Sequence, residues 1–278
     1  MTVKGWLSPL LAVLGMVPGW LLAAGQCDRL IATGSPDAPP YLWRDPADPK
    51  HLVGANADLL REAVTQLGLK VEFLYGGRRS QALDEVRSGR MDLLADSPLD
   101  ATQLESMDFI HPPIAQNEIM VWTRRTQALP FNTLADLHGH PGAISERTRL
   151  TTAFATATRE WLTLRKAPAL TPSFQLLAQH QVEYVLAGRY AGSAVVQNSN
   201  MTDEIVAQPL PLDRPGLYVA LSFNSACNDP WLRGQLSKKM TELSASGAAE
   251  EAIQRNLERW KAELRQSPET PDNQEKRS

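Results

Sequence analysis

From residue 28 to residue 95, short β-branched or apolar runs alternate with amphipathic segments that stop at glycines. A run of this kind is typical of a buried strand, and an apolar stripe repeating every three to four residues is typical of a helix. Five elements are predicted: strand Asp28–Thr33, helix Asn56–Leu67, strand Leu69–Leu74, a helix from Ser80 to Gly89 and strand Met91–Ala95. Such βα alternation predicts an α/β fold with a mostly parallel sheet covered by helices.

After the sequence His111-Pro112-Pro113 the alternation restarts. Predicted strands are Glu118–Trp122, Gly142–Ser145, Ala194–Gln197 and Leu217–Phe223. Predicted helices are a short one capped by Thr133, then Thr148–Arg165, Ser173–Leu186 and two closing helices, the first opened by Asp229-Pro230 and the second carrying Trp260. Two such blocks predict two lobes, with a ligand cleft at the carboxyl ends of their strands.

The two ends of the chain differ from the rest. Residues 1–24 have a basic start at Lys4, an apolar run and the small residues Ala23-Ala24, which predict a cleavable secretory signal and a periplasmic protein. Gln26 precedes Cys27 where a lipid-attachment site needs a small residue, so we expect no lipid anchor. The tail, residues 266–278, has no apolar face and is predicted to be disordered.

Charge and motifs exclude several functions. The formal net charge is −3, without the basic footprint of a nucleic-acid-binding protein. The sequence has no GxSxG, HExxH, P-loop or GxGxxG motif, so we predict no catalytic residue, metal or cofactor. His138 and His140 straddle Gly139 in a predicted loop, where solvent exposure is expected rather than metal ligation.

Cys27 and Cys227 are the only cysteines of the chain. In an oxidising compartment, two cysteines form a disulfide more often than they stay free, although two separate buried thiols remain an alternative. Neither has a CxxC neighbour or a nearby histidine, so a catalytic role is not expected.

A series of motifs resembles the extracellular solute-binding proteins of polar amino-acid ABC importers. In chain order they are Ile31-Ala32-Thr33-Gly34 with Pro39-Pro40-Tyr41, the helix entry Gly54 to Leu59, Leu83 to Asp92, Met107 to Pro113, Leu134 to Gly139, Leu186-Ala187-Gly188-Arg189 and the closing helices. The resemblance implies a two-lobed fold of periplasmic-binding-protein type II. Residues 25–115 and 217–265 would form lobe 1 and residues 116–216 lobe 2. The return of the chain to lobe 1 would bring Cys227 near Cys27.

The resemblance also implies a small polar solute as ligand, a monomer, and delivery to the membrane permease of an ABC importer. In the family an arginine clamps the ligand carboxylate, and its place here falls near Gln103. An acid that binds the ligand ammonium should fall near Gln197. Because neither residue type is present at these places, a standard amino acid is disfavoured as ligand.

Other residues are candidates for the ligand site. Tyr41 and Trp43 offer aromatic faces, or else pack in the core of the lobe. Arg79 resembles a side-wall position of the family and could replace the missing arginine, or else face solvent. The remaining candidates are Asp96 and Ser97 at the end of the third strand, and Arg147 and Thr148 at the predicted start of a helix, where free N–H groups attract an anion. Asp96 could instead cap a turn, and the helix start could be a simple N-cap.

Two further functions fit the same resemblance. The closed lobes could dock on a membrane sensor protein instead of a permease. A few proteins of this fold are similar to cyclohexadienyl dehydratases, for which Asp96 or Glu146 could serve as the acid, although no paired acid and base is evident.

Overall fold

The computed structural model describes residues 27–127 and 129–266. The predicted signal peptide (1–24) and residues 267–278 of the predicted disordered tail therefore lie outside the described residues, while Gln266, the first residue of that tail, ends a helix. In chain order the elements are β1 Arg29–Thr33, β2 Asp37–Ala38, β3 Leu42–Arg44, β4 Leu52–Val53, α1 Ala55–Thr65, β5 Lys70–Phe73, α2 Arg79–Arg87, β6 Leu93–Ser97, β7 Met107–Gln116, β8 Ile119–Arg124, β9 Pro141–Ser145, α3 Thr152–Trp161, β10 Thr163–Ala167, α4 Leu170–Ala178, β11 Tyr184–Gly188, α5 Arg189–Asn198, β12 Ile205–Asp213, β13 Gly216–Ser222, α6 Pro230–Ser246 and α7 Ala248–Gln266.

The first sheet has the strand order β5-β1-β6-β13-β7. Strands β5, β1 and β6 are parallel to one another, whereas β13 runs antiparallel to both of its neighbours. A small sheet, β2-β3-β4, lies beside it and carries the loop that follows β1. The α/β class is confirmed, and each main sheet is mixed rather than parallel throughout.

The second sheet has the order β10-β9-β11-β8-β12. Here β10, β9 and β11 are parallel, and β8 is antiparallel to both β11 and β12. Two short connections join the two sheets, one from Gln116 to Ile119 and one from Asp213 to Gly216. The chain therefore crosses to the second sheet and returns, as the resemblance implies for a two-lobed fold.

Each sheet has its own hydrophobic core. Helices α1, α6 and α7 cover the first sheet through the buried side chains of Leu60, Leu236 and Ile253. In the second sheet, Phe174 of α4 packs edge-on against Trp122 of β8, with ring centroids 5.4 Å apart. The predicted disulfide is confirmed: Cys27 is bonded to Cys227, with their Cα atoms 5.2 Å apart.

The helix predicted over Thr148–Arg165 is wrong at both ends. Helix α3 begins after Thr151, whose Oγ1 accepts the backbone N–H of Phe154. It ends at Trp161, and Thr163–Ala167 forms β10 by pairing with β9. A short strand with exposed polar positions has no pattern that separates it from the end of an amphipathic helix.

Two other predictions in the second block are also wrong. The helix predicted over Ser173–Leu186 ends at Ala178, because His180 adopts a left-handed backbone conformation (φ 58°) and the buried run Tyr184–Gly188 is a strand. The strand predicted over Ala194–Gln197 lies in helix α5. Packing of α5 against β8 and β11 overrides the β propensity of its paired valines, and Gly192 allows this close approach because a Cβ there would collide with the Trp122 ring.

Candidate functional site

A cleft of about 660 Å³ lies between the two sheets. Its walls are the loops that follow the carboxyl ends of β1 and β6 on one side and those of β9 and β11 on the other. Because β1 and β6 are parallel to each other, as are β9 and β11, each pair delivers its following loops to one edge of its sheet. The cleft therefore lies where the sequence pattern places a ligand.

On the first wall, an arginine and an aspartate form a buried ion pair. Arg79 is the first residue of α2, and its Nη1 donates to Asp96 Oδ1 at 3.1 Å and to Ser35 Oγ at 2.9 Å. Asp96 is 4% exposed and its Oδ2 accepts the backbone N–H of Ser35 at 3.1 Å. A Cβ on Gly34 would lie 2.7 Å from Asp96 Oδ1, so the turn after β1 needs a glycine to admit this carboxylate.

On the second wall, Arg149 lines the cleft from the loop between β9 and α3. Among the described residues, no hydrogen bond or ion pair reaches its side chain. Burial, followed by the nearby positive charge of Arg79, lowers the pKa of Arg149 to about 10, and the carboxylates of Asp96 and Asp37 oppose this shift only in part. The arginine carries its charge at neutral pH, and the cleft walls leave that charge uncompensated at close range.

A weaker contact joins the two walls near the rim. Arg147 Nη1 lies 3.5 Å from Asp37 Oδ2, and the two side chains are 72% and 60% exposed. Exposure of this degree limits an ion pair to well under about 1 kcal/mol. The contact between Arg147 and Asp37 therefore shows that the two walls approach each other at the rim, but it contributes little to holding them together.

Five of the predicted site residues line the cleft: Tyr41, Arg79, Asp96, Arg147 and Thr148. Tyr41 is buried, donates from its hydroxyl to the carbonyl of Gln116 at 2.9 Å, and meets Tyr190 edge-on with ring centroids 6.1 Å apart. It therefore packs between the lobes near their connection. Burial, followed by the neighbouring Tyr190, raises the pKa of its hydroxyl well above the usual value, so the hydroxyl stays protonated.

The other four candidates lie outside the cleft lining. Trp43 packs on α7, where its Nε1 donates to Glu263 Oε2 at 2.8 Å and the Arg259 guanidinium lies 5.6 Å from its ring centroid. Ser97 and Gln103 are buried and bonded to each other, Oγ to Oε1, at 2.8 Å. Gln197 is exposed near the end of α5.

The helix start predicted at Thr148 does not exist. Arg147 and Thr148 lie in the loop before α3, and the N-cap residue Thr151 is bonded through its N–H and its hydroxyl to Asp213, at 2.8 and 3.0 Å. A carboxylate of the chain therefore already lies at this helix N-terminus. Sequence reasoning missed Arg149, Ser35 and Asp37, although the repeated arginines of Arg147-Thr148-Arg149 were a usable signal for the first.

The place predicted for an acid, near Gln197, lies in α5, and the end of β11 offers the cleft no carboxylate either. Strand β11 ends at Gly188, which lines the cleft without a side chain. The next residue, Arg189, turns away and donates through Nε to Glu118 Oε2 at 2.6 Å. Glu118 also accepts from Arg214, at 3.2 Å, and so links both connections between the sheets.

Within residues 27–127 and 129–266, no helix is both long and apolar enough to cross a bilayer. The same residues contain no group of three or more histidine, cysteine, aspartate or glutamate side chains that could hold a metal ion. Outside the cleft lining, His138 Nδ1 lies 2.8 Å from the Trp161 carbonyl, and His140 Nδ1 lies 2.7 Å from Glu183 Oε2.

Solved structures with this architecture come from binding proteins and sensor domains. A histidine kinase sensor domain with similarity to periplasmic binding proteins is 22% identical, with a TM-score of 0.61 over 84% of this chain and 96% of that chain. The GluR0 ligand-binding core in complex with L-glutamate is 21% identical, with a TM-score of 0.62 over 84% and 98%. The amino-acid ABC transporter substrate-binding protein AbpA from Streptococcus pneumoniae, bound to L-arginine, is 18% identical, with a TM-score of 0.58 over 83% and 95%.

No curated protein matches the sequence significantly. The model of one protein family, the bacterial extracellular solute-binding proteins of family 3, matches residues 30–259. That match spans both sheets and the closing helices, in agreement with the motifs and the topology. The chain belongs to family 3 of the bacterial extracellular solute-binding proteins.

Proposed function

We propose that this protein is a periplasmic binding protein that closes around a small polar solute and delivers it to the permease of an ABC importer. The observation that carries the proposal is the polar cleft, in which Arg149 of one wall has no hydrogen-bonding or ion-pair partner among the described residues and Arg79 of the other is held in place by Asp96 and Ser35. A preformed ion pair facing an uncompensated cation suits recognition of a polar ligand. Tyr41, Arg147 and Thr148 complete the proposed lining.

Closure would bend the two connections between the sheets. We assign residues 25–115 and 217–265 to lobe 1 and residues 116–216 to lobe 2. A ligand that contacts both walls stabilises the closed state over the open one by its additional contacts. Glu118, paired with Arg189 and Arg214, lies at the bending point and would keep the two connections moving together.

A sensory role is the second candidate, because one solved structure of this architecture is a histidine kinase sensor domain. In that case the closed form would be recognised by a membrane sensor protein instead of a permease. Import and sensing require the same ligand-binding residues in the cleft. The two roles would differ only in the surface of the closed protein to which the membrane partner binds.

A thermal-shift screen of the mature protein with amino acids, opines, amines and small organic acids tests the binding function. A bound solute stabilises the native state by RT ln(1 + [L]/Kd), about 2.7 kcal/mol at a hundredfold excess over Kd. Small-angle scattering with the stabilising solute should show a smaller radius of gyration. If no solute in the screen raised the melting temperature, the binding function would lose its support.

An enzymatic role is not favoured by the cleft. Asp96 has both carboxylate oxygens engaged, and Glu146 is exposed with no hydrogen-bonding partner of its side chain in the described part of the chain. A general acid needs a proton donor aimed at the leaving group. Incubation with prephenate or arogenate should therefore yield no aromatic product.

A further inference from the structure

The charges of the cleft are not balanced pair by pair. Asp96 pairs with Arg79 on the first wall, and Asp37 pairs with Arg147 at the rim. Arg149 lies deeper, is only partly exposed and has no carboxylate within ion-pair distance among the described residues. Among the described residues of the lining, four arginines (Arg78, Arg79, Arg147 and Arg149) face three carboxylates (Asp37, Asp96 and Glu146), so the cleft carries an excess of one positive charge.

Arg79 also has N–H groups that donate to no acceptor in the described part of the chain. Its Nη1 makes both hydrogen bonds, to Asp96 and to Ser35, and none reaches its Nε or Nη2 in the described part of the chain. The two bonds fix the plane of the guanidinium and leave three N–H donors, one on Nε and two on Nη2, in a known orientation. A fork held in this way matches a planar carboxylate at a low entropic cost.

Among its described residues, the cleft has no receptor for an ammonium group that is as well placed as Arg79 and Arg149 are for a carboxylate. Asp96 already accepts Arg79 and the Ser35 N–H, and a ligand cation beside it would meet the Arg79 charge. Gly188 and Ala191, on the opposite wall, carry no acceptor side chain. Glu146 also lines the cleft and its side chain has no partner among the described residues, but it is exposed and adjoins Arg147 on the loop that carries Arg149, so a ligand cation there would meet two arginine charges.

We propose that the ligand is a small carboxylate anion without a compensating ammonium group, and that its carboxylate binds between Arg149 and Arg79. This inference rests on the proposed binding function and narrows its ligand class. The anion would supply the charge that Arg149 lacks, and by touching both walls it would favour the closed state. The proposal also accounts for the absence of an arginine near Gln103, since the guanidinium groups come from α2 and from the β9–α3 loop instead.

Solutes with matched carbon skeletons test the charge requirement. Succinate, butyrate, 4-aminobutyrate and putrescine share a four-carbon chain and differ in charge, and the C3, C5 and C6 series extend the set. Calorimetry and thermal shift should show that succinate and butyrate bind at least tenfold more tightly than 4-aminobutyrate and putrescine. Binding of zwitterions or amines in preference to carboxylates would overturn this inference and leave the binding function intact. If no solute bound, both would fall.

A variant gives a readout that needs no ligand. In Arg149→Gln the uncompensated charge is gone, so the ligand-free protein should melt about 2–4 °C higher, while the Kd for the carboxylate rises at least tenfold. Arg149→Lys keeps the charge but not the fork, so it should weaken binding and leave the melting temperature near that of the wild type. Arg255→Gln, on the exposed face of α7, is the matched control and should change neither. A lower melting temperature with unchanged affinity in Arg149→Gln would show a structural role and overturn the proposal.

Discussion

Arg79 Nη1 lies 3.1 Å from Asp96 Oδ1, which ties the first residue of α2 to the carboxyl end of β6. The aspartate is almost fully buried and the arginine is 19% exposed, so the pair forms the base of the cleft rather than part of its rim. In this position Arg79 can face a ligand in the cleft while its charge stays paired with Asp96.

Asp96→Asn should destabilise the protein by about 2–4 kcal/mol, because the substitution leaves a mostly buried guanidinium without its anion and close to the charge of Arg149. Urea denaturation of the ligand-free protein measures the change. Glu85→Gln removes an acid from the exposed pair with Arg90 and is the control, for which we expect little change. Equal stabilities of Asp96→Asn and the wild type would contradict the importance of the buried pair.

Removing the disulfide with Cys27→Ser/Cys227→Ser should lower the free energy of unfolding by up to about 5 kcal/mol on the loop-entropy model. The bond joins residues 200 positions apart and fixes the start of β1 to the loop before α6. Chemical denaturation of the oxidised wild type and of the double variant measures the difference. Wild-type protein treated with reductant is the control and should behave like the variant; an unchanged stability would show that packing alone holds this end of the chain.

Gly54→Ala should cost roughly 2–4 kcal/mol, since glycine alone adopts φ 138° readily and a Cβ there would collide with the backbone carbonyl of Tyr41. Gly68→Ala is the matched control. It also has a positive φ, of 76°, but a Cβ would meet nothing within 4 Å, so about 1 kcal/mol is expected. Thermal unfolding of both variants separates backbone strain from collision, and equal losses would exclude the collision.

Tyr190→Phe tests a contact between the lobes. The Tyr190 hydroxyl donates to Glu250 Oε1 at 3.0 Å, and burial, with this hydrogen bond, raises the pKa of Tyr190 to about 12. A raised pKa means that the contribution to stability is complete below the unfolded-state value near 10 and is lost as the pH rises to about 12. Because the side chain is partly exposed, we expect only about 0.5–1 kcal/mol.

The readout is the difference in unfolding free energy between Tyr190→Phe and the wild type at pH 8 and at pH 11.5. The wild type should be the more stable at pH 8, and the gap should narrow at pH 11.5. Tyr75→Phe is the matched control, because Tyr75 lies before α2 and away from the contact with Glu250. A gap that does not change with pH would contradict the hydrogen bond to Glu250.

The sequence determined the first sheet more completely than the second. Local periodicity predicts strand β1 and helix α1. Residue types that end or cap helices predict the remaining features, which are the stop at Gly68 and the caps Asp229 and Gly247 of α6. The disulfide and the family could be predicted as well, since the chain has only two cysteines and the motifs keep their order. In the second block, helix and strand patterns of similar length overlapped, and β10 and α5 were assigned wrongly.

Only the tertiary structure decided which polar residues meet in the cleft. Arg79, Asp96 and Arg149 are far apart in the chain and come together through the parallel strands and the crossing between the sheets. Trp43 and Gln103 resembled ligand residues by position but are turned toward α7 and Ser97. A side chain's direction depends on the packing of distant elements, whereas a local pattern records only its neighbours along the chain. The fold class could be predicted from the sequence, and the unpaired charge of Arg149 in the cleft could not.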